Sequence, residues 1–246
     1  MSDAALSVRN LTAGYGARSV LRGIDLSIHT GEWFSLLGPN GSGKTTLLRC
    51  VSGQHVPARG DVLVGGLSVF DSPVQAKRLL GYAHPPQSLP GLLTGRQCLE
   101  VYAAAHDLSE IGRDIPELAA ELHLAGALEE WVETYSLGMR QKLAIILALI
   151  GNPALVVLDE AFNGLDPAST LILRRELHQR TRDRRCAVLL ATHALDTVLR
   201  EATGAALLLE GSIVRTWDRQ ELTAIRADGP DALEAALADA ASSQPA

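Results

Sequence analysis

The chain has 246 residues and a mass of 26.2 kDa, which fits one domain or two closely joined subdomains around a large core. Lys and Arg number 22 and Asp and Glu 28, so the formal net charge of −6 argues against a generally nucleic-acid-binding surface. A hydrophobic fraction of 47% excludes wholesale disorder.

The first third of the chain reads as short strands separated by glycine-containing turns. A compact apolar run over residues 33–37 stops at Gly38, and a glycine-rich turn and a helix over about 44–52 follow it. The other strands predicted here cover residues 6–9, 24–28, 61–64 and 80–83.

The middle of the chain changes character, because it is rich in Ala, Leu, Glu and Gln at helical spacing. Helices are predicted over 97–106, 115–122 and 137–150, as an insertion between strands. Strands then return at 154–158, 187–191, 205–209 and 212–215, with a helix from Pro167 to about 180 and an Ala-rich helix after Gly229. Strands alternating with helices predict an α/β fold with a mostly parallel sheet.

The cysteines and the hydropathy of the sequence indicate the cellular compartment in which the chain is expected. Cys50, Cys98 and Cys186 are far apart and lack metal-ligand spacing, so we predict buried thiols in a reducing compartment. The longest uninterrupted apolar run, residues 143–150, is far shorter than the roughly 20 residues of a membrane-spanning helix. The first ten residues have no signal-peptide pattern, so a cytoplasmic location is expected.

The glycine-rich turn carries the clearest chemistry. Residues 38–45 fit the pattern G-x-x-x-x-G-K-[ST] between an apolar strand and a helix, the context that this phosphate-binding motif requires. Glycines let backbone N–H groups curl around phosphate oxygens, and the helix N-terminus adds partial positive charge. The predicted phosphate-binding residues are Gly38, Pro39, Asn40, Gly41, Ser42, Gly43, Lys44, Thr45 and Thr46. Within this set Lys44 supplies a cation to the β- and γ-phosphates, and the Thr45 hydroxyl is a ligand for Mg²⁺.

A second motif is the apolar strand that ends in two carboxylates, Asp159 and Glu160. Asp159 is predicted to bind Mg²⁺, because hard cations prefer oxygen ligands, and Glu160 to polarise a water for in-line attack on the γ-phosphate. Taken without the glycine-rich turn, the two carboxylates could instead be an acidic cap of the helix that follows the strand. Together the two motifs specify a P-loop nucleotidase.

Four further segments resemble the ATP-binding-cassette (ABC) ATPases, in matching order over roughly residues 6–216. They are Tyr135-Ser136-Leu137-Gly138-Met139-Arg140-Gln141, similar to the LSGGQ signature; Asn163-Gly164-Leu165-Asp166, similar to the D-loop; Thr192-His193, similar to the switch loop; and Tyr15, similar to the aromatic residue that stacks on adenine. The signature has Leu137 where Gly is usual and Met139 where Gly or Gln is usual, but it keeps its Ser-x-Gly core.

The resemblance implies roles for these residues. Two such domains would dimerise head to tail around ATP, with Ser136 and Gly138 contacting the γ-phosphate of the opposite subunit. His193 would bond the γ-phosphate and orient the attacking water, and Asp166 would link the two sites. Gln87 is a candidate Mg²⁺ ligand, although it lies two residues after the position where the family has its glutamine, which Pro85 occupies here.

The same resemblance implies a domain plan and partners. We expect a P-loop NTPase core, an N-terminal antiparallel β subdomain, a helical subdomain over about 88–151 within an ATPase domain of 1–216, and a short helical tail over 217–246. The partners would be a second ATPase subunit, identical or paralogous, and a separate transmembrane permease, which puts the chain on the inner face of the cell membrane and favours export.

Several alternatives stay open at this stage. The chain could be a soluble, non-transport ABC ATPase that acts on ribosomes or DNA, or a binding module without hydrolysis. A set of apolar residues could line a groove for a permease helix or pack internally: Leu79, Leu80, Leu89, Leu92, Leu93 and Tyr102. The basic run over 180–185 is expected to be a solvated helix end, with nucleic-acid binding a distant alternative.

Overall fold

A computed structural model describes residues 4–242 of the chain as two sheets with helices around them. The strands are β1 (Ala4–Tyr15), β2 (Arg18–His29), β3 (Trp33–Leu37), β4 (Arg59–Val64), β5 (Leu67–Ser68), β6 (Leu80–Tyr82), β7 (Leu155–Asp159), β8 (Ala187–Ala191), β9 (Gly204–Leu209) and β10 (Ser212–Trp217). The helices are α1 (Lys44–Val51), α2 (Pro73–Arg78), α3 (Gly95–Ala105), α4 (Asp114–Glu121), α5 (Leu137–Leu149), α6 (Pro167–Arg182), α7 (Leu195–Glu201), α8 (Arg219–Asp228) and α9 (Pro230–Ser242).

The central sheet has six strands in the order β10-β9-β3-β8-β7-β6. Its neighbours β6/β7, β7/β8, β8/β3 and β3/β9 pair in parallel, and only β9/β10 is antiparallel. A separate four-stranded antiparallel sheet has the order β2-β1-β4-β5. The predicted α/β fold, with a mostly parallel core sheet and an antiparallel N-terminal sheet, is therefore confirmed.

The core sheet is covered on both faces, which explains the continuous apolar runs of its strands. Along β7, Val156 and Leu158 pack into a hydrophobic cluster with the helical region and α6, whereas Leu155 and Val157 pack into the cluster under the antiparallel sheet. This alternation follows from the two-residue period of a strand. Buried on both sides, the strand fixes the position of Asp159 at its carboxyl end.

Helices α3, α4 and α5 occupy the long segment between β6 and β7. Thr94 and Gln97 form a reciprocal capping box at the start of α3, and the Ser136 hydroxyl caps α5 by accepting from the Met139 N–H. Residues Leu143–Leu149 of α5 are buried, so this helix anchors the segment to the sheet. The division into subdomains at 88–151 stays a prediction.

The last described part of the chain packs back onto the sheet. An Asp218–Glu221 capping box starts α8, and α9 lies where the Ala-rich helix is predicted. Leu222 and Leu233 are fully buried in the same hydrophobic cluster as Val156. The segment after β10 is therefore bound to the core along its described length, to residue 242.

The structure also departs from several local predictions. β1 and β2 have 12 residues each and form a long hairpin, whereas the sequence suggested two short strands. Register shifts along this pair break the two-residue alternation, which hides the length of the strands. Helices α2, α7 and α8 were not predicted, because each is short or weakly patterned and depends on tertiary packing.

The basic run over 180–185 is not wholly a solvated helix end, contrary to the prediction. Arg180 is only 3% exposed, and its guanidinium bonds Asp114 and Glu176 at 2.6 Å each and Asn152 at 3.1 Å. It therefore ties α6 to α4 and to the loop before β7.

The expectations about cysteine and membrane segments can also be compared with the fold. Cys50, Cys98 and Cys186 are free and buried, and burial raises the pKa of Cys50 to about 12 and that of Cys186 to about 11. The prediction of buried thiols is thus confirmed. Among residues 4–242, no helix combines the length and the apolar character needed to cross a membrane.

Candidate functional site

The loop between β3 and α1 has the backbone shape of a phosphate cradle. Gly38, Gly41 and Gly43 adopt φ values of 154°, 81° and 113°. A Cβ on Gly38 would lie 2.3 Å from the Leu208 carbonyl oxygen, so a side chain is excluded there by contact as well as by conformation. The loop ends where α1 begins at Lys44, which directs the N-terminus of that helix at the cradle.

The Lys44 side chain folds back over the loop. Its ammonium group donates to the carbonyl oxygens of Gly38 at 2.6 Å and Pro39 at 3.1 Å, and the residue is only 7% exposed. The Ser42 hydroxyl is buried and has no hydrogen-bond partner among residues 4–242. A nearly buried cation beside an unpartnered hydroxyl and a ring of glycine amides fits a phosphate chain.

Asp159 reaches the same loop from β7. The Thr45 hydroxyl donates to its carboxylate at 2.8 Å across a sequence separation of 114 residues. Burial raises the pKa of Asp159, and the neighbouring Glu160 adds to that effect, whereas the Thr45 hydrogen bond and Lys44 oppose it. A hydroxyl and a carboxylate at hydrogen-bond distance are the oxygen ligands that Mg²⁺ prefers, so the pair fits that ion.

Glu160 is held in a small polar network at the end of β7. Its backbone has a φ of 48°, a left-handed conformation that is uncommon for a residue with a side chain. One carboxylate oxygen lies 2.7 Å from Nδ1 of His193, and the other accepts from Thr192 at 3.3 Å and Asn163 at 3.2 Å. The predicted general base and the predicted switch histidine are thus in direct contact.

Part of the phosphate loop and the two carboxylates line one open cleft of about 390 Å³, whereas His193 is not among its lining residues. Lys44, Thr45, Asp159 and Glu160 line it together, although they come from opposite halves of the chain. The other lining residues are Tyr15, Arg18, Val20, Asn40, Gly41, Gly43 and Thr46. The cleft is therefore large enough and polar enough at its base to take a nucleotide.

Tyr15 lies at the mouth of this cleft and is 46% exposed. Its ring centroid is 4.7 Å from that of His55, and its hydroxyl accepts from Arg49 at 3.2 Å. Arg18, which also lines the cleft, was missed by the sequence analysis. No motif marks it, and the β1–β2 hairpin alone places it there.

The signature residues lie outside their own chain's cleft. Ser136 is exposed at the start of α5, and Gly138 is half-buried, with the Gly164 carbonyl oxygen 3.5 Å from the position of a Cβ on Gly138. The signature and the D-loop are thus adjacent on one surface. The structure does not bring Ser136 or Gly138 together with Lys44, as expected if they act on a partner's nucleotide.

A lysine that the sequence analysis did not single out links these two loops. The Lys142 ammonium lies 3.2 Å from the Asp166 carboxylate and donates to the Leu122 carbonyl oxygen at 3.2 Å. Hydrogen bonds from the Ser169 hydroxyl and N–H, and then Lys142, hold the pKa of Asp166 below its usual range. Asp166 is the N-cap of α6, so Lys142 connects the signature helix to the start of α6.

Gln87 lies apart from the cleft. It is exposed within a single turn of 3₁₀ helix, residues Pro86–Ser88, and it is not among the lining residues of the cleft. Gln87 is therefore outside the cleft, and its contact to Mg²⁺ stays a prediction.

The fold and the cleft together define a P-loop nucleotide-binding protein with a parallel core sheet. A sequence profile described as "ABC transporter" matches residues 21–163, more than half of the chain. The chain therefore belongs to the ABC transporter family as an ATP-binding subunit. The ATP-binding subunits of this family are ATPases.

Three relatives illustrate the range of this family. The chain is 32% identical over 210 residues to the uncharacterized ABC transporter ATP-binding protein YhcH of Bacillus subtilis, covering 85% of this chain and 68% of YhcH. It is 36% identical to the aliphatic sulfonates import ATP-binding protein SsuB 1 of Nocardia farcinica, covering 84% of this chain and 79% of SsuB 1. It is 32% identical to the phospholipid-transporting ATPase ABCA3 of Mus musculus, covering 86% of this chain but only 13% of ABCA3.

Solved structures agree with the fold. An ATP-binding subunit of an ABC transporter has a TM-score of 0.83 and 31% identity, with 91% of this chain and 92% of that chain covered. A bacterial ABC transporter cassette solved as a dimer has a TM-score of 0.78 and 22% identity, with 87% and 98% covered, a likeness of fold alone.

Proposed function

We propose that this chain hydrolyses ATP as one half of a head-to-tail dimer and so drives a separate membrane-spanning subunit. The observation that carries the proposal is the single cleft that contains Lys44, Thr45, Asp159 and Glu160. The cleft brings phosphate-binding and acidic residues together. Thr45 and Asp159, which are 114 residues apart in the sequence, are joined there by a hydrogen bond.

Each side chain has a role that follows from its position. The glycine amides and Lys44 would hold the phosphates, and Mg²⁺, bound by Thr45 and Asp159, would neutralise charge on the β- and γ-oxygens. Glu160 would accept the proton of the attacking water, and the 2.7 Å contact with His193 supports a shared role in orienting that water. Tyr15 would stack on adenine at the cleft mouth.

The dimer is supported by where the signature lies. Ser136 and Gly138 are not among the lining residues of their own cleft, and their loop begins a 13-residue helix whose N-terminus favours an anion. In a head-to-tail pair each signature would close the partner's cleft over ATP. The likeness in fold to a cassette that was solved as a dimer supports dimerisation, and the head-to-tail orientation is part of the proposal.

The membrane partner is proposed from the helical region. Leu80 and Tyr102 line a cavity of about 180 Å³ between β6 and α3, whereas Leu92 is 73% exposed nearby in sequence. Residues 88–151 would form a helical subdomain that grips a permease helix here, with Gln87 moving towards Mg²⁺ on closure. The chain would then sit at the inner face of the cell membrane, with residues 217–246 as a short tail.

Export is the proposed direction, on the family resemblance of the signature segment. SsuB 1 is an import protein of similar identity, so a transport assay with the cognate permease decides the direction. Co-purification of a membrane subunit from detergent extracts would support transport, whereas association with ribosomes or DNA would support the soluble alternative.

The dimer proposal is tested with Glu160→Gln. This substitution keeps the side-chain shape but removes the general base, so ATP should trap a dimer in size-exclusion chromatography while hydrolysis falls by about 10²-fold or more. Glu117→Gln, at an exposed position on α4, is the matched control and should leave both readouts unchanged. Normal turnover in the Glu160 variant would remove that residue from its role.

A further inference from the structure

A second cleft, of about 610 Å³, lies at the end of β3 remote from the phosphate loop. It shares no lining residue with the nucleotide cleft. Four separate segments form it: the β2–β3 turn, the end of α6, the end of α7 and the helix α8. Trp33, the first residue of β3, forms part of its wall, whereas the phosphate loop follows the last residue of that strand.

This cleft is basic in an acidic protein. Two carboxylates, Glu32 and Glu201, line it together with five arginines, so the formal charge without histidine is 5 − 2 = +3. The arginines are Arg182, Arg184, Arg200, Arg219 and Arg226. The whole chain carries −6.

The two carboxylates are already engaged by other groups. Glu201 pairs with His178 and, at 3.3 Å, with Arg174, and the carboxylate of Glu32 accepts the His29 N–H at 2.8 Å. Glu201 also interacts electrostatically with Arg200 and with Arg226. Two carboxylates offset only part of the charge of five arginines, so the cleft keeps an excess of positive charge.

The arginines differ in what they contact. Arg226 donates to the carbonyl oxygens of Leu199 and Ala202 at the end of α7, and burial, followed by the charge of Arg219, lowers its pKa. Arg182, Arg200 and Arg219 are exposed, and their guanidinium groups form no hydrogen bond or ion pair within the described residues. These three guanidinium groups therefore line a cleft that also contains Arg184 and Arg226.

Helix-end electrostatics explain only part of this arrangement. Arg182 and Arg200 lie in the last turns of α6 and α7, where a cation is favourable. Arg219 is the first residue of α8, where the helix dipole disfavours a cation. A bound anion would relieve the repulsion among these side chains and would account for Arg219 as well.

We propose that this second cleft binds a small ligand that carries phosphate groups, through Arg182, Arg200 and Arg219. Guanidinium groups match the oxygens of a phosphate in bidentate pairs, and three of them suit a ligand with more than one negative charge. The phosphate could belong to a soluble phosphorylated compound or to a phospholipid headgroup. This binding is independent of nucleotide hydrolysis in the first cleft.

The test uses inorganic pyrophosphate as the probe and the full chain with Lys44→Ala, which weakens the phosphate loop. Isothermal titration should still detect binding, and adding Arg182→Ala, Arg200→Ala and Arg219→Ala should weaken it by about tenfold or more. Replacing the same three arginines by lysine should lose less affinity, because charge is kept and only the planar fork is lost.

The matched control removes three exposed arginines elsewhere: Arg22→Ala, Arg59→Ala and Arg113→Ala in the same background. It should keep the affinity, with circular dichroism confirming the fold of each variant. Equal loss in both triple variants, or no binding before the cleft arginines are changed, overturns the proposal. Sedimentation with phosphatidylglycerol and phosphatidylcholine vesicles distinguishes the two sources of the phosphate. Arginine-dependent binding to the anionic vesicles identifies a phospholipid headgroup. Binding of pyrophosphate without binding to these vesicles identifies a soluble ligand.

Discussion

Asp159→Asn is expected to separate stability from function in this cleft. Burial of the carboxylate raises the pKa of Asp159, which means that its charged form is disfavoured in the folded protein without ligand. Asparagine has the same shape and can still accept from Thr45 at the position now 2.8 Å away. The free energy of unfolding of the variant should therefore equal that of the natural chain or exceed it by up to about 1 kcal/mol. The gain is small because water screens this half-buried group.

The pH dependence of this difference has a defined sign. A carboxyl group with a raised folded pKa contributes stability that is full below its unfolded pKa and is lost as pH rises through the folded value. The advantage of Asp159→Asn should thus vanish below pH 3.8, the ordinary pKa of an aspartate, and reach its plateau above the raised pKa. Urea unfolding in EDTA from pH 3.5 to 8 would measure it, with Asp228→Asn, an exposed position, as control.

Ligand should reverse the order of stability. With Mg²⁺ and a non-hydrolysable ATP analogue at a hundred times the dissociation constant, the natural chain should gain about 2.7 kcal/mol of unfolding free energy. The variant should lose the Mg²⁺-dependent part of that gain, because a neutral amide is a poorer ligand than a carboxylate. A variant that keeps the full gain, or that is less stable by about 2 kcal/mol without ligand, would refute the reasoning.

Two further substitutions test the edges of the site. Tyr15→Ala should weaken ATP binding by about tenfold through lost stacking, whereas Tyr15→Phe and the binding of tripolyphosphate should be unaffected in fluorescence titrations. Equal effects on ATP and tripolyphosphate would contradict the adenine role. Lys142→Met should lower kcat more than ATP affinity, because it cuts the 3.2 Å link from the signature helix to Asp166, and Lys142→Arg should restore turnover. Parallel losses in both Lys142 variants would point to a purely structural lysine.

The local motifs in the sequence were sufficient to predict the class of fold and the principal residues of the cleft. The glycine pattern before Lys44 allows the backbone conformation of the loop, because Gly41 and Gly43 adopt a positive φ that other residues rarely take. The apolar run before Asp159 likewise requires a buried strand with an acidic end. Such features are written in consecutive residues and need no tertiary context.

Other features depend on contacts between distant segments, which periodicity does not record. Arg18 reaches the nucleotide cleft because bulges let β1 and β2 extend into a long hairpin. Lys142 meets Asp166 because α5 packs beside the loop before α6.

The arginine-rich cleft has the same origin. It joins four segments between residues 29 and 226, and no single one of them reads as a site. Short motifs of neighbouring residues specify the chemistry that the chain carries, so it can be recognised from the order of the amino acids. Which side chains share a cleft follows from the packed fold, because packing brings distant segments of the chain together.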